Sequence, residues 1–225
     1  MIRLLSWLTK HYGAADLTDL ISKHPGLRPR NVTATDAEKD MLFAAAPQHI
    51  RLWLLLCSDL AIRSGTASRL GPSNYNPVTQ ELRFTTKLGE RLTLPVTREI
   101  ADYLASCDLN DPEPFVRQVH KRDLRYGPGS LSPKANYHHT LGIAFMRLRK
   151  SVGITRKLTP HDFRRTTAVA LYEHTHDARD VQALLGHRTL ASTIWYLDHD
   201  LLPVQRNNLE LIKRPHTAGS EKQSA

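Results

Sequence analysis

The 225-residue chain carries 31 Lys and Arg against 22 Asp and Glu, a formal charge of +9, with 12 His and 40% hydrophobic residues. That is enough apolar mass for a core. No apolar run approaches the ~18–20 residues of a membrane-spanning helix, and the first residues lack the apolar core and small-residue cleavage site of a secretory signal. Two cysteines, Cys57 and Cys107, are too few for a disulfide scaffold, and no C-x-x-C marks a zinc site. A soluble, cytosolic protein with a positive field is the expectation, and nucleic acid is the first partner to test.

In chain order, residues 2–23 can form one or two short amphipathic helices with Leu4, Leu5, Trp7 and Leu8 on one side. Pro25 and Pro29 mark the following KHPGLRPRN as a linker. Thr35 and Glu38 have the spacing of a capping box ahead of DAEKDMLFAAA, and the helical pattern continues through IRLWLLLCSDLAI as a core element. Between about 74 and 96 the period changes. LRFTT and RLTLPV alternate apolar and polar about LGE, the pattern of a hairpin. HKRDLRYGPGSLSPKANYHH reads as an exposed loop, and from about 132 helix dominates, with Tyr137, Leu141, Phe145 and Leu148 as one stripe. The fold class is mainly α with a small antiparallel β-sheet.

The positive charge is unevenly placed. Residues 1–116 hold 13 basic and 13 acidic side chains, residues 117–165 hold 12 and 2, and residues 166–225 hold 6 and 7. The whole excess therefore falls in fewer than fifty residues. Lys121, Arg122, Arg125 and Lys134 in this block, with Arg165 at its end, are candidate contacts to a nucleic-acid backbone.

Chemistry concentrates in LTPHDFRRTTAVALY. Thr159 is suited to an N-cap, Pro160 to the first helical position, and Asp162 to closing the cap. His161 and Arg164 then share one face of the first turn, where free N–H groups and the helix dipole favour an anion. Downstream, ARDVQALLGH is a short helix with Val181, Leu184 and Leu185 buried and Gly186 as its stop, so His187 follows a C-cap. Tyr196 lies nine residues beyond His187. Spacing alone is weak support, since a second H-x-x-R occurs at His176 and Arg179.

In combination these stretches resemble the tyrosine recombinases (phage integrases). LLGHRTLASTIWY resembles the segment around the family's nucleophile and HDFRRT its helix start. LAIRSGTASRL resembles its first-arginine motif, and TTKLGERLTLPV its lysine-bearing hairpin. The likeness spans about residues 33–212 and places Arg63, Lys87, His161, Arg164, His187 and Tyr196 in the family's order. Two positions depart from it. Thr66 stands where an acidic residue is usual, and Arg165 where histidine is often found.

The resemblance implies a catalytic-domain fold of that family and attack by Tyr196 on a DNA phosphodiester, giving a 3′-phosphotyrosyl link and a free 5′-hydroxyl. Arg63 and Arg164 would grip the non-bridging oxygens, His161 act as base, His187 hydrogen-bond the phosphate and Lys87 protonate the leaving oxygen. No metal, nucleotide or other cofactor is implied. Residues 31–215 would be the catalytic domain, 1–30 the remnant of a core-binding domain and 216–225 a frayed tail. The partner would be double-stranded DNA, bound by a homotetramer joined through a C-terminal helix, in the cytoplasm at the nucleoid. A type IB topoisomerase and a non-catalytic DNA-binding remnant remain the alternatives.

Overall fold

The structure is a computed structural model, and it describes residues 32–86, 89–122 and 136–197, with the side chain of Trp195 excepted. The helices expected over 2–23 and after Tyr196, together with Lys87, Arg125 and Lys134, lie outside the described residues. Those described all belong to one unit beginning at Val32.

Thr35 and Glu38 close the expected capping box and start α1, Asp36–Ala45. The apolar pattern that reads as one helix is in fact two. Proline lacks an N–H and drives the residue before it extended. Ala46 accordingly leaves helical geometry, and α2, Gln48–Ser58, restarts after Pro47. α2 is buried almost all round and is the centre of the core, with Trp53 donating from Nε1 to the Ser64 carbonyl at 2.9 Å. A one-turn helix, α3 (Ser64–Ala67), follows.

The sheet has the expected hairpin, β2 (Glu81–Thr85) and β3 (Arg91–Pro95), and adds a two-residue β1, Tyr75–Asn76, in antiparallel order β1-β2-β3. Leu82 pairs with Leu94 and Phe84 with Leu92, the face turned to the core. The turn between β2 and β3 closes through Thr86 N–H to the Glu90 carbonyl (2.7 Å), with Gly89 at positive φ.

Two helices were not legible in the sequence, α4 (Arg98–Ala105) and α5 (Phe115–Arg122). α5 buries Arg117, Gln118 and His120 among its apolar residues, which hides its period. Each is partnered. Arg117 pairs with Glu113 at 2.9 Å, Gln118 bonds to the backbone of Asp108, Asp111 and Glu113, and His120 stacks on His49 and bonds to Tyr137. The segment read as an exposed loop therefore begins inside α5 and ends inside α6, Tyr137–Ser151. Tyr137, Leu141 and Phe145 of the expected stripe are buried.

α7 (Pro160–Thr175) starts at the capping box of Thr159 and Asp162 and packs across α2. α8 (Ala178–Leu185) packs on α7 and stops at Gly186, and α9 (Leu190–Leu197) closes against α8. Gly186 has φ +57, and a Cβ there would stand 3.0 Å from the Thr86 side chain. Both conformation and space call for glycine. No helix among the described residues is long and apolar enough to cross a membrane.

Candidate active site

Five of the six residues in the expected order are described, and α3, α7, α8 and α9 bring them together. Arg63 is the N-cap of α3 and is partly exposed. Arg164, in the first turns of α7, is only 2% exposed. Its guanidinium donates from Nη1 to the Ala61 carbonyl and from Nη2 to the Leu185 carbonyl at 3.0 Å. One side chain thus ties the loop after α2 to the C-terminal end of α8. Ala61 presents its carbonyl from a left-handed conformation, φ +48. That geometry is strained for a residue with a Cβ. Ala61→Gly relieves that strain but also deletes a fully buried methyl, so stability should stay within about 1 kcal/mol of wild type, measured by urea denaturation; a larger change in either direction would contradict it.

Tyr196 sits on α9 between two imidazoles. The His161 ring stands edge-on at 5.6 Å between centroids and the His187 ring at 5.7 Å. The tyrosine hydroxyl is buried and makes no hydrogen bond among the described residues. The Arg164 guanidinium lies beside it and favours the phenolate. Arg165, also 2% exposed, donates to the Tyr196 carbonyl, and its guanidinium carbon lies 5.5 Å from the ring centroid.

The electrostatics of the site are dominated by clustered positive charge. Burial and the neighbouring Arg63 pull Arg164 down to about 10. Burial first, then Arg164 and Arg63, pull His187 down to about 4. His161 is lowered by loss of solvent and by Arg164, against the opposing effect of Asp162. Tyr196 is raised by burial, which outweighs the pull of Arg164, Arg165 and Arg63. At neutral pH both histidines are therefore uncharged between converging guanidiniums, and an anion entering there relieves the repulsion.

A pH dependence follows. An unfolded histidine has pKa ~6.5, so between that value and about 4 the unfolded chain binds a proton that folded His187 does not. Stability from this residue is complete above the unfolded pKa and is lost as pH falls through the window. With solvent screening discounted, the loss from pH 7 to pH 4.5 should be about 1–2 kcal/mol. Denaturation midpoints of wild type and H187Q across this range would show it; equal pH slopes would refute it.

The described basic residues of 117–165 do not form one surface. Lys121 lies 3.7 Å from the carboxylates of Asp111 and Glu113, and Arg122 bonds to the Ser106 carbonyl. Arg117 is paired with Glu113, Arg156 with Glu38, and Arg149 donates to the Arg156 carbonyl. Arg164 and Arg165 are buried in the site. Beside His187 a cavity of about 430 Å³ opens between β3 and α8, lined by Arg91, Arg179 and Arg188, with Glu90 within 4.0 Å of Arg188. None of these three arginines was a candidate contact in the sequence, since they lie outside the charge-dense block, and Arg179 had drawn notice only as part of the second H-x-x-R. Thr66 stays on α3 beside Arg63 and is half-buried. Among the described residues no group of three or more His, Cys, Asp or Glu could hold a metal ion.

This mainly helical fold, with one small sheet and a tyrosine seated among arginines and histidines, is that of the tyrosine-recombinase catalytic domain. Residues 31–201 match the model of the phage integrase family, and the chain belongs to that family. Among curated relatives, the tyrosine recombinase XerC of Agrobacterium fabrum is 29% identical over 153 residues, 65% of this chain and 45% of the relative. XerC of Rickettsia rickettsii is 44% identical over 103 residues, 44% of this chain and 30% of the relative. An Escherichia coli protein described as integrase/recombinase is 37% identical over 82 residues, 36% of this chain and 24% of its own length. The chain thus spans less than half the length of the curated relatives it matches.

Two solved structures share the fold. The XerA recombinase superposes with a TM-score of 0.57 at 20% identity, covering 82% of this chain and 66% of its own. A lambda integrase dimer bound to a COC′ core site gives 0.57 at 16%, covering 98% and 74%.

Proposed function

We propose that residues 31–215 form the catalytic domain of a site-specific DNA recombinase that cuts and rejoins strands through Tyr196. The observation that carries this reading is the seating of the Tyr196 ring between His161 and His187, with its buried hydroxyl beside the Arg164 guanidinium.

A phosphodiester is anionic, and attack on it adds charge to the non-bridging oxygens. Arg63 and Arg164 supply fixed donors for that charge, in a site where burial strengthens them. Arg164 is already oriented by two carbonyls, so little reorganisation is needed when phosphate arrives. Tyr196 Oη forms the new bond to phosphorus as the bond to the 5′-oxygen breaks. The phenolic proton passes to uncharged His161, and Lys87 gives a proton to the departing oxygen. The 3′-phosphotyrosyl link retains the energy of the broken bond, so a 5′-hydroxyl from a second strand can reverse the step without ATP or a metal ion. The arginine-lined cavity beside His187 gives the flanking strand a path, and Lys121, Arg122, Arg125 and Lys134 are assigned to the duplex backbone beyond it. Exchange between two duplexes calls for four copies, with the segment after Tyr196 as their contact.

The test is a nicked duplex carrying the natural flanking sequence. The expected product is a protein–DNA adduct whose tryptic map places the link on Tyr196 at a 3′-phosphate. A link through a 5′-phosphate, a link on another residue, or no adduct at all would overturn the proposal.

A further inference from the structure

We infer that Thr193 is a positioning residue that fixes which nitrogen of His187 carries the proton. The inference rests on the assignment of His187 to the scissile phosphate and concerns how that side chain is held ready.

The Thr193 hydroxyl lies 3.1 Å from His187 Nδ1, and Thr193 is fully buried. It stands three residues before Tyr196 on α9, so the two share a face of that helix. His187 is uncharged near neutral pH, held down to about 4 by burial and by Arg164 and Arg63. A neutral imidazole has one donor nitrogen and one acceptor. Only the donor can serve a phosphate oxygen, so the tautomer decides whether the residue can do its work.

The hydrogen bond by itself could run in either direction, and the surroundings choose between them. Threonines within helices commonly donate to the carbonyl four residues back. Thr140, Thr166, Thr167 and Thr175 all do so here. Thr193 makes no such bond, and among the described residues its hydroxyl has no bonded acceptor except His187 Nδ1. A buried hydroxyl proton without an acceptor is costly. Thr193 therefore donates to Nδ1, and the imidazole proton sits on Nε2, the nitrogen left for the phosphate. The backbone of His187 is fixed separately, by Gln182, whose side chain donates to the His187 carbonyl at 3.0 Å and whose carbonyl accepts from the His187 N–H at 3.1 Å. Backbone and ring are thus held by different elements, α8 and α9.

Three measurements on the full chain test this. Nitrogen-15 NMR of the free protein should show His187 as the Nε2–H tautomer in wild type and Thr193→Ser, and as a mixture in Thr193→Val. Single-turnover adduct formation on the nicked duplex should slow by about 10–100-fold in Thr193→Val. It should stay within about threefold of wild type in Thr193→Ser, which keeps the hydroxyl. DNA affinity should change in neither.

An Nδ1–H tautomer in wild type, or wild-type rates in Thr193→Val, overturns the inference. If Thr193→Val does not fold, the tautomer of wild type and the rate of Thr193→Ser still decide it. H187Q serves the underlying assignment separately. A wild-type rate in H187Q removes His187 from the phosphate whatever tautomer the NMR shows, whereas a slow H187Q beside an unaffected Thr193→Val overturns only the role of Thr193.

Discussion

Tyr196→Phe should form no adduct with the nicked duplex while folding at least as stably as wild type. The two halves of this expectation have one cause. The hydroxyl is buried with no hydrogen-bond partner among the described residues. A buried polar group left unsatisfied costs about 1–3 kcal/mol, so phenylalanine removes a burden along with the nucleophile. The ring contacts with His161 and His187 and the Arg165 guanidinium over its face involve the aromatic body, which phenylalanine keeps. For a domain of this size, 1 kcal/mol moves the melting temperature by about 2–4 °C. Thermal denaturation of the variant should give an unchanged or higher Tm, and gel analysis under denaturing conditions should show no shifted band. A residual adduct would assign the nucleophile elsewhere. A large fall in Tm would mean that the hydroxyl has a structural partner.

Arg164→Lys should reduce adduct formation by about 10²–10³-fold, the cost seen when one donor to a developing oxyanion is removed. Arginine here donates to two carbonyls, Ala61 and Leu185, and still faces the tyrosine. A lysine ammonium is a point charge on a flexible stem and cannot reproduce that fork. Its charge is also vulnerable. Burial and Arg63 bring the arginine down from 12.5 to about 10, and the same environment would lower a lysine from its ordinary ~10.4. A substantial share of the variant would then be neutral under mildly alkaline conditions. The signature is a rate that falls as pH rises from 7 to 9, over a range in which wild type does not lose this cation. A flat profile would show that the lysine stays charged and that geometry alone accounts for the loss.

Local chemistry made much of this fold legible in the sequence. The capping boxes at Thr35 and Thr159, the alternating pattern about Gly89 and the stop at Gly186 each involve residues close in the chain, and each stands where the pattern placed it. The break at Pro47 was signalled by the proline itself, followed by polar Gln48 and His49, and was passed over because apolar residues are dense on either side. α4 and α5 are two turns long, and α5 buries polar residues whose partners come from other segments. The site divides along the same line. Its side chains were visible as motifs, but a carbonyl has no letter in a sequence, and nothing announces that Ala61 and Leu185 hold Arg164. Thr193 was within reach, since its i, i+3 spacing to Tyr196 was readable, but its bond to His187 depends on how the loop between α8 and α9 turns.

The close approach at Gly186 has a mechanical meaning. On one side of that residue the chain goes directly into His187, and on the other its bare α-carbon lets the hairpin side chain of Thr86 settle against it. Thr86 immediately precedes Lys87 in the chain. The hairpin strand that leads toward Lys87 and the residue assigned to the scissile oxygens thus meet at the same helix end. A shift of α8 would carry His187 and press on the hairpin at Thr86 in the same movement, and through Thr193 it would pull on the helix of Tyr196 as well.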